Sequence, residues 1–112
     1  MSPEQQKIAI AEACGWTKCE HVASINLTKG IPPANNPPKY GTYENGMAQL
    51  PDYINDLNAM HEAEKMFRNA IYCRYISELC DLAIKENNCM YMATAAQRAE
   101  AFLRTTGKWV ES

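Results

Sequence analysis

The sequence predicts a helix-dominated α+β domain, three to four helices packed with a short β-hairpin or small sheet. Three observations carry that expectation. Two segments, Ser2-Pro3-Glu4-Gln5 and Thr94-Ala95-Ala96-Gln97, carry the hydroxyl-x-x-Gln spacing of a capping box, in which the first side chain and the fourth satisfy each other's backbone amides. Between residues 57 and 86 apolar side chains recur at helical spacing with neither Pro nor Gly. From Thr17 to Pro51, by contrast, "GIPPANNPPKYG" puts four prolines and two asparagines where no helix can continue.

The first helix is expected over about Pro3 to Cys14. Pro3 fits the first helical position, and Gly15 supplies the left-handed conformation that ends helices. Ile8, Ala11 and Cys14 share one narrow face, with Trp16 following as a large anchor. In the loop-rich stretch, "HVASINLT" alternates weakly as one short strand. "YGTYENGMAQL" reads as a hairpin, because Asn45-Gly46 suits a two-residue turn whose central residues both need positive φ. Asp52, Asn55 or Asp56 can cap the next helix, whose stripe is Leu57, Met60, Ala63 or Glu64, and Phe67. A third helix from Asn69 buries Tyr72, Tyr75, Ile76, Leu79, Cys80 and Ala83; one bent helix over the whole stretch is the alternative, and Asn87-Asn88 stops it in either case. The last helix turns Ala96, Ala99, Phe102 and Leu103 inward, ends at Gly107, and leaves Trp109 to fold back onto the body.

Size and charge bound the rest. A chain of 112 residues has room for one domain spanning 1–112 and one modest core. Its hydrophobic share of 46% and charged share of 21% are those of an ordinary globular protein. Eleven basic residues against thirteen acidic ones leave a net charge of -2, without the basic surplus of a nucleic-acid binder. The amino terminus lacks the order of a secretory signal, and no apolar run suffices to cross a bilayer. Five irregularly spaced cysteines, Cys14, Cys19, Cys73, Cys80 and Cys89, are expected as reduced thiols in a cytoplasm. Cys73 and Cys80, seven apart on one helical flank, read as small core residues.

The stretch "LPDYINDLNAMHEAEK", residues 50–65, gathers the richest set of chemical groups. Asp52, Asp56, Glu62 and Glu64 could hold a hard cation, but their order lacks the Asp/Asn and Gly alternation of a calcium loop, and acids at a helix start are favoured by the dipole. His61-Glu62 begins like the zinc-protease motif, which needs a second His one turn on; Lys65 stands there instead. Cys14, Cys19 and His21 are too loosely spaced for a structural zinc site. Arg98 and Arg104 could grip a phosphate or carboxylate bidentately, or pair internally with Glu62 or Glu64. Trp16, Tyr40, Tyr43 and Trp109 could line a pocket or a protein contact, or seal the edge of a small core. No catalytic constellation is complete, and no metal or cofactor is expected.

Three blocks taken together, "IAEACGWT", "LPDYINDLNAMHEAEK" and "ATAAQRAEAFLRTTGKW", resemble a family of small proteins of tailed phages and prophages, the phage ABA sandwich domain. They cover about 40 of the 112 residues and span the chain from end to end. The resemblance implies helices layered on a small sheet, a phage or prophage origin, residence in a bacterial cytoplasm, and no particular activity. The expected function is therefore that of a non-enzymatic accessory protein that binds a phage protein, a host protein or itself. The residues expected to take part are Trp16, Tyr40, Tyr43, Asp52, Tyr53, His61, Arg98, Arg104 and Trp109. A second expectation is a ligand-binding protein that sequesters a nucleotide with Arg98, Arg104 and the aromatic residues. A weaker third is an enzyme built on His61 with Asp52 or Glu62.

Overall fold

Four helices and a three-stranded antiparallel sheet are laid out in the computed structural model, which describes residues 1–33, 46–87 and 89–111. Helix α1 (Pro3–Ala13) leads into strand β1 (Thr17–Val22), which pairs with β2 (Leu27–Ile31). Strand β3 (Ala48–Gln49) adds to the far side of β2, giving the order β1-β2-β3. Helices α2 (Leu57–Glu64), α3 (Asn69–Lys85) and α4 (Ala95–Thr106) follow. The α+β, helix-dominated expectation holds.

Local chemistry sets the helix ends. Ser2 and Thr94 each accept from the backbone amide of the Gln three residues on, and each Gln side chain accepts from the cap amide in return. Asp56 caps α2 by accepting from the Asn58 amide. Gly107 closes α4 at φ 76°, a conformation a Cβ would penalise. Helices α2 and α3 are separate, and Asn69 at φ 56° makes the corner between them, since Asn tolerates the left-handed region better than most residues.

Helix α4 lies at the centre, in contact with α1, α2 and α3, while α1 also packs on β1 and β2. It buries Ala95, Ala99, Ala101, Phe102 and Leu103, so small side chains allow close helix approach and Phe102 fills the space between. The core continues through Ile10 and Ala11 of α1, Trp16, Leu50, Tyr53, Met60, Phe67, Tyr75 and Leu79.

The sheet departs most from the sequence reading. "HVASINLT" is not one strand: it holds the end of β1, a single 3-10 turn at Ala23–Ile25, Asn26 in the left-handed conformation, and the start of β2. The hairpin expected over Tyr40–Leu50 lies largely outside the described residues; its described end is β3, which pairs with β2 through Lys29↔Gln49 and Gly30↔Ala48. Between Thr17↔Ile31 and Glu20↔Lys29 the register shifts by one residue, a bulge that Lys18 absorbs at φ 52°.

Opposite the bulge sits Gly30. An added Cβ there would lie 2.8 Å from Cys19 Sγ, 3.2 Å from Thr17 O and 3.3 Å from Cys19 Cα. Two of those three atoms are backbone and cannot swing aside. Gly30→Ala is therefore expected to cost about 1 to 3 kcal/mol by overpacking, measured as a fall in the midpoint of urea unfolding.

Several side chains face differently than their spacing suggested. On α1, Ile10 and Ala11 are fully buried while Ile8 and Cys14 are only half so. On α4, Ala95 rather than Ala96 turns inward. On α3, Tyr75, Leu79 and Ala83 are buried, but Tyr72 is exposed, as is Leu57 at the start of α2. Cys73 is exposed and Cys80 half-buried, so neither is a full core residue. Both lie on the flank of α3 turned away from α4, the helix that covers its buried stripe.

Candidate functional site

The α2–α3 corner carries a shallow groove of about 350 Å³ lined by His61, Glu64, Lys65, Phe67 and Tyr72. Helical geometry brings the first three together: positions 61, 64 and 65 lie three and four apart on α2 and its cap. Phe67 in the corner then drops back into the core, and Tyr72 rises from the first turn of α3.

Aromatic rings tie the floor to the interior. Phe67 lies 5.0 Å from Tyr75 and 4.7 Å from Phe102 between ring centroids, and Tyr72 lies 6.3 Å from Tyr75, all tilted in the arrangement aromatic pairs prefer. The groove floor is thus an outward extension of the core and shares its rigidity.

Behind the groove runs a polar link. Arg98 Nη1 of α4 donates to Glu64 Oε1 of α2 at 3.1 Å, and the two side chains are only 14% and 13% exposed. This pair holds α2 to α4 across the core. Tyr75 Oη is buried against this pair, where both Glu64 and Arg98 bear on it, and Arg98 Nε is buried without a hydrogen-bond partner. Burial, and next the negative charge of Glu64, push the Tyr75 phenol above its ordinary value.

The same elements carry exposed apolar side chains: Leu57 at 41% at the start of α2, Met66 at 42% in the corner, and Ile71 at 56% and Tyr72 at 43% in the first turn of α3.

The acids of residues 50–65 do not converge on an ion. Asp52 pairs with Lys7 at 3.5 Å and accepts from Asn55, Asp56 caps α2, Glu62 pairs with Lys65 at 2.8 Å, and Glu64 holds Arg98. Among the described residues no three His, Cys, Asp or Glu side chains gather as a metal centre. The imidazole of His61 stands exposed at the rim.

The other expected site residues are dispersed. Trp16 is buried as a core anchor, and Tyr40 and Tyr43 lie outside the described residues. Tyr53 is buried; desolvation and then the nearby Cys14 and Cys19 thiols push its phenol up. Arg104 does not join Arg98. It donates to Glu100 at 2.8 Å and to Glu111 at 2.9 Å, with its guanidinium 5.2 Å from the Trp109 ring. Trp109 Nε1 donates to the same Glu111 carboxylate, so this cluster fastens the C-terminal segment to α4. Of the nine residues, His61 lines the groove and Arg98 backs it. Sequence reasoning missed Phe67 and Tyr72 as site residues, because both fitted an inward stripe; the aromatic spacing across the α2–α3 corner was the available signal.

Burial holds the Cys14 and Cys19 thiols at about 11, above the ordinary 9.0, with the charge of Glu12 adding to the effect on Cys19. A thiol that keeps its proton longer in the folded state than in the unfolded one contributes stability that is full below pH 9 and falls as pH rises toward 11. The melting temperature is accordingly expected to decline from pH 9 to pH 11 and to do so less in Cys14→Ala, measured by circular dichroism.

Comparison with protein-family models, with curated proteins and with solved structures gives no match to this chain. No helix among the described residues is long and apolar enough to cross a membrane.

Proposed function

We propose that this is a phage or prophage accessory protein, acting in the bacterial cytoplasm by binding another protein through the groove at the α2–α3 corner, without chemistry on that partner. The observation that carries the reading is the combination of an aromatic floor, Phe67 backed by Tyr75 and Phe102, with an exposed Tyr72 at the groove and exposed Met66 and Ile71 beside it in sequence. Interface hot spots are pockets of this kind, where an aromatic or branched anchor from the partner displaces water at little ordering cost.

The rim chemistry defines the partner's. It presents an apolar or aromatic anchor to Phe67 and Tyr72, flanked by polar groups that can meet Lys65 and His61. A non-enzymatic role is supported by the engagement of Asp52, Asp56, Glu62 and Glu64 in caps and ion pairs. The phage origin is supported by the three sequence blocks that span the chain. The nucleotide reading draws less support, since Arg98 and Arg104 are each already paired with carboxylates and belong to separate clusters.

The test is parallel capture from a lysate of phage-infected bacteria on wild-type protein and on Ile71→Glu, Tyr72→Ala and Ile84→Glu, with native mass spectrometry of the eluates. The expected result is a protein, or a second copy of this chain, retained by wild type and Ile84→Glu but lost from the other two. A monomer carrying a nucleotide and no protein would contradict it, as would equal capture by all four.

A further inference from the structure

At the opposite end of α3 the chain gathers sulfur. Cys80 on α3 and Met90, in the single 3-10 turn Met90–Met92, place Sγ and Sδ 3.4 Å apart, with the thiol donating to the thioether. The chain reverses direction after Lys85 through Asn87 at φ 57°, which lays that turn back across α3. Cys89 precedes that turn as its cap residue and Met92 closes it, and both are exposed, so four sulfur side chains fall in residues 80 to 92.

We infer that Cys80 and Met90 form the core of a binding site for a soft monovalent metal ion, Cu(I), with Cys89 or Met92 supplying a further sulfur donor. Ligand type decides the metal. A thiolate with thioethers selects Cu(I), whereas magnesium, calcium and manganese need oxygen donors and zinc favours four ligands drawn from Cys, His and carboxylate. No three such zinc-type groups converge among the described residues, but the thioethers widen the donor set here. Charge points the same way. Binding converts the Cys80 thiol to a thiolate and releases one proton to solvent, so the Cu(I)–thiolate unit carries no net charge and suits a half-buried position. A divalent ion on the same donors would leave a net positive charge to be desolvated.

The two sulfurs come from segments ten positions apart in sequence yet already touch, so binding requires only loss of the thiol proton and a small separation of the side chains. Met is adaptable enough in rotamer to permit it.

The test is anaerobic titration of the full chain with Cu(I) against a chromophoric chelator, comparing wild type with Cys80→Ser, Met90→Leu and Cys73→Ser. Met90→Leu conserves volume and leaves all five cysteines in place. The site predicts that Cys80→Ser and Met90→Leu each weaken binding by about tenfold or more, equivalent to about 1.4 kcal/mol, and that Cys73→Ser binds as wild type does. X-ray absorption of the loaded protein should show a shell of sulfur alone. Wild-type affinity in Met90→Leu would overturn the assignment, because the ion would then be held by thiols in general. So would failure of the wild type to compete with the chelator. Thermal melts of the metal-free variants establish that each is folded.

Discussion

Phe102→Ala is expected to lower stability by about 4 kcal/mol, within the range for removing a fully buried aromatic ring. Phe102 is fully buried on α4, packs tilted against Phe67 at 4.7 Å between ring centroids, and sits on the helix that touches the other three. Its loss opens a cavity where α4 meets the floor of the groove, and the surrounding alanines are too short to collapse into it. A domain of this size has about 5 to 15 kcal/mol in total, so the variant should be near its limit, melting about 15 °C lower. Calorimetric and urea unfolding check this. A loss under about 1.5 kcal/mol would mean that α4 is not the central packing element. Because the ring supports Phe67, the same variant should also bind the captured partner more weakly at temperatures where it remains folded.

Glu64→Ala should cost about 3 kcal/mol, and for a different reason. The mutation leaves the Arg98 guanidinium, with its Nε already lacking a partner, charged in a mostly buried position. The penalty is desolvation of an unpaired charge rather than loss of the attraction itself. Replacing both residues, Glu64→Met with Arg98→Leu, should therefore recover most of the loss, since apolar side chains of similar volume can match a buried pair. Chemical denaturation of the two single variants and the double variant completes the cycle. A double variant as unstable as the sum of the singles would contradict this account.

The helix ends were legible because they depend on residues a few positions apart. The capping boxes at Ser2 and Thr94, the Asp56 cap and the Gly107 stop all occur where the residue chemistry puts them. The sheet was not, because strand pairing is non-local and β1 is interrupted by a bulge. With Lys18 displaced to positive φ, the period-2 alternation that would have announced Thr17–Val22 is broken. Helix faces fell between these cases. Periodicity identified the stripes of α3 and α4, but which flank of each stripe is covered depends on the neighbouring helix. Tyr72 and Cys73 are exposed for that reason, and Ala95 replaces Ala96 at the interior.

The candidate site was visible in its polar members and hidden in its apolar ones. His61 and the Arg98 link to the middle helix stood out as charged or titratable groups in suggestive places. Phe67 and Tyr72 looked like ordinary core, and only the turn at Asn69 brings them to a common surface with α2. The aromatic residues expected to cooperate, Trp16 and Trp109, serve the core and the C-terminal fastening instead.

The central claim is that the α2–α3 corner is a docking face whose rigid floor receives an apolar anchor. Hydrogen exchange of the wild-type chain, free and in complex with the protein it captures, tests this most directly. The account predicts slowed exchange in peptides spanning residues 57–75 and little change around Arg104 and Trp109. Slowing confined to the C-terminal cluster, with the corner exchanging as in the free protein, would contradict it.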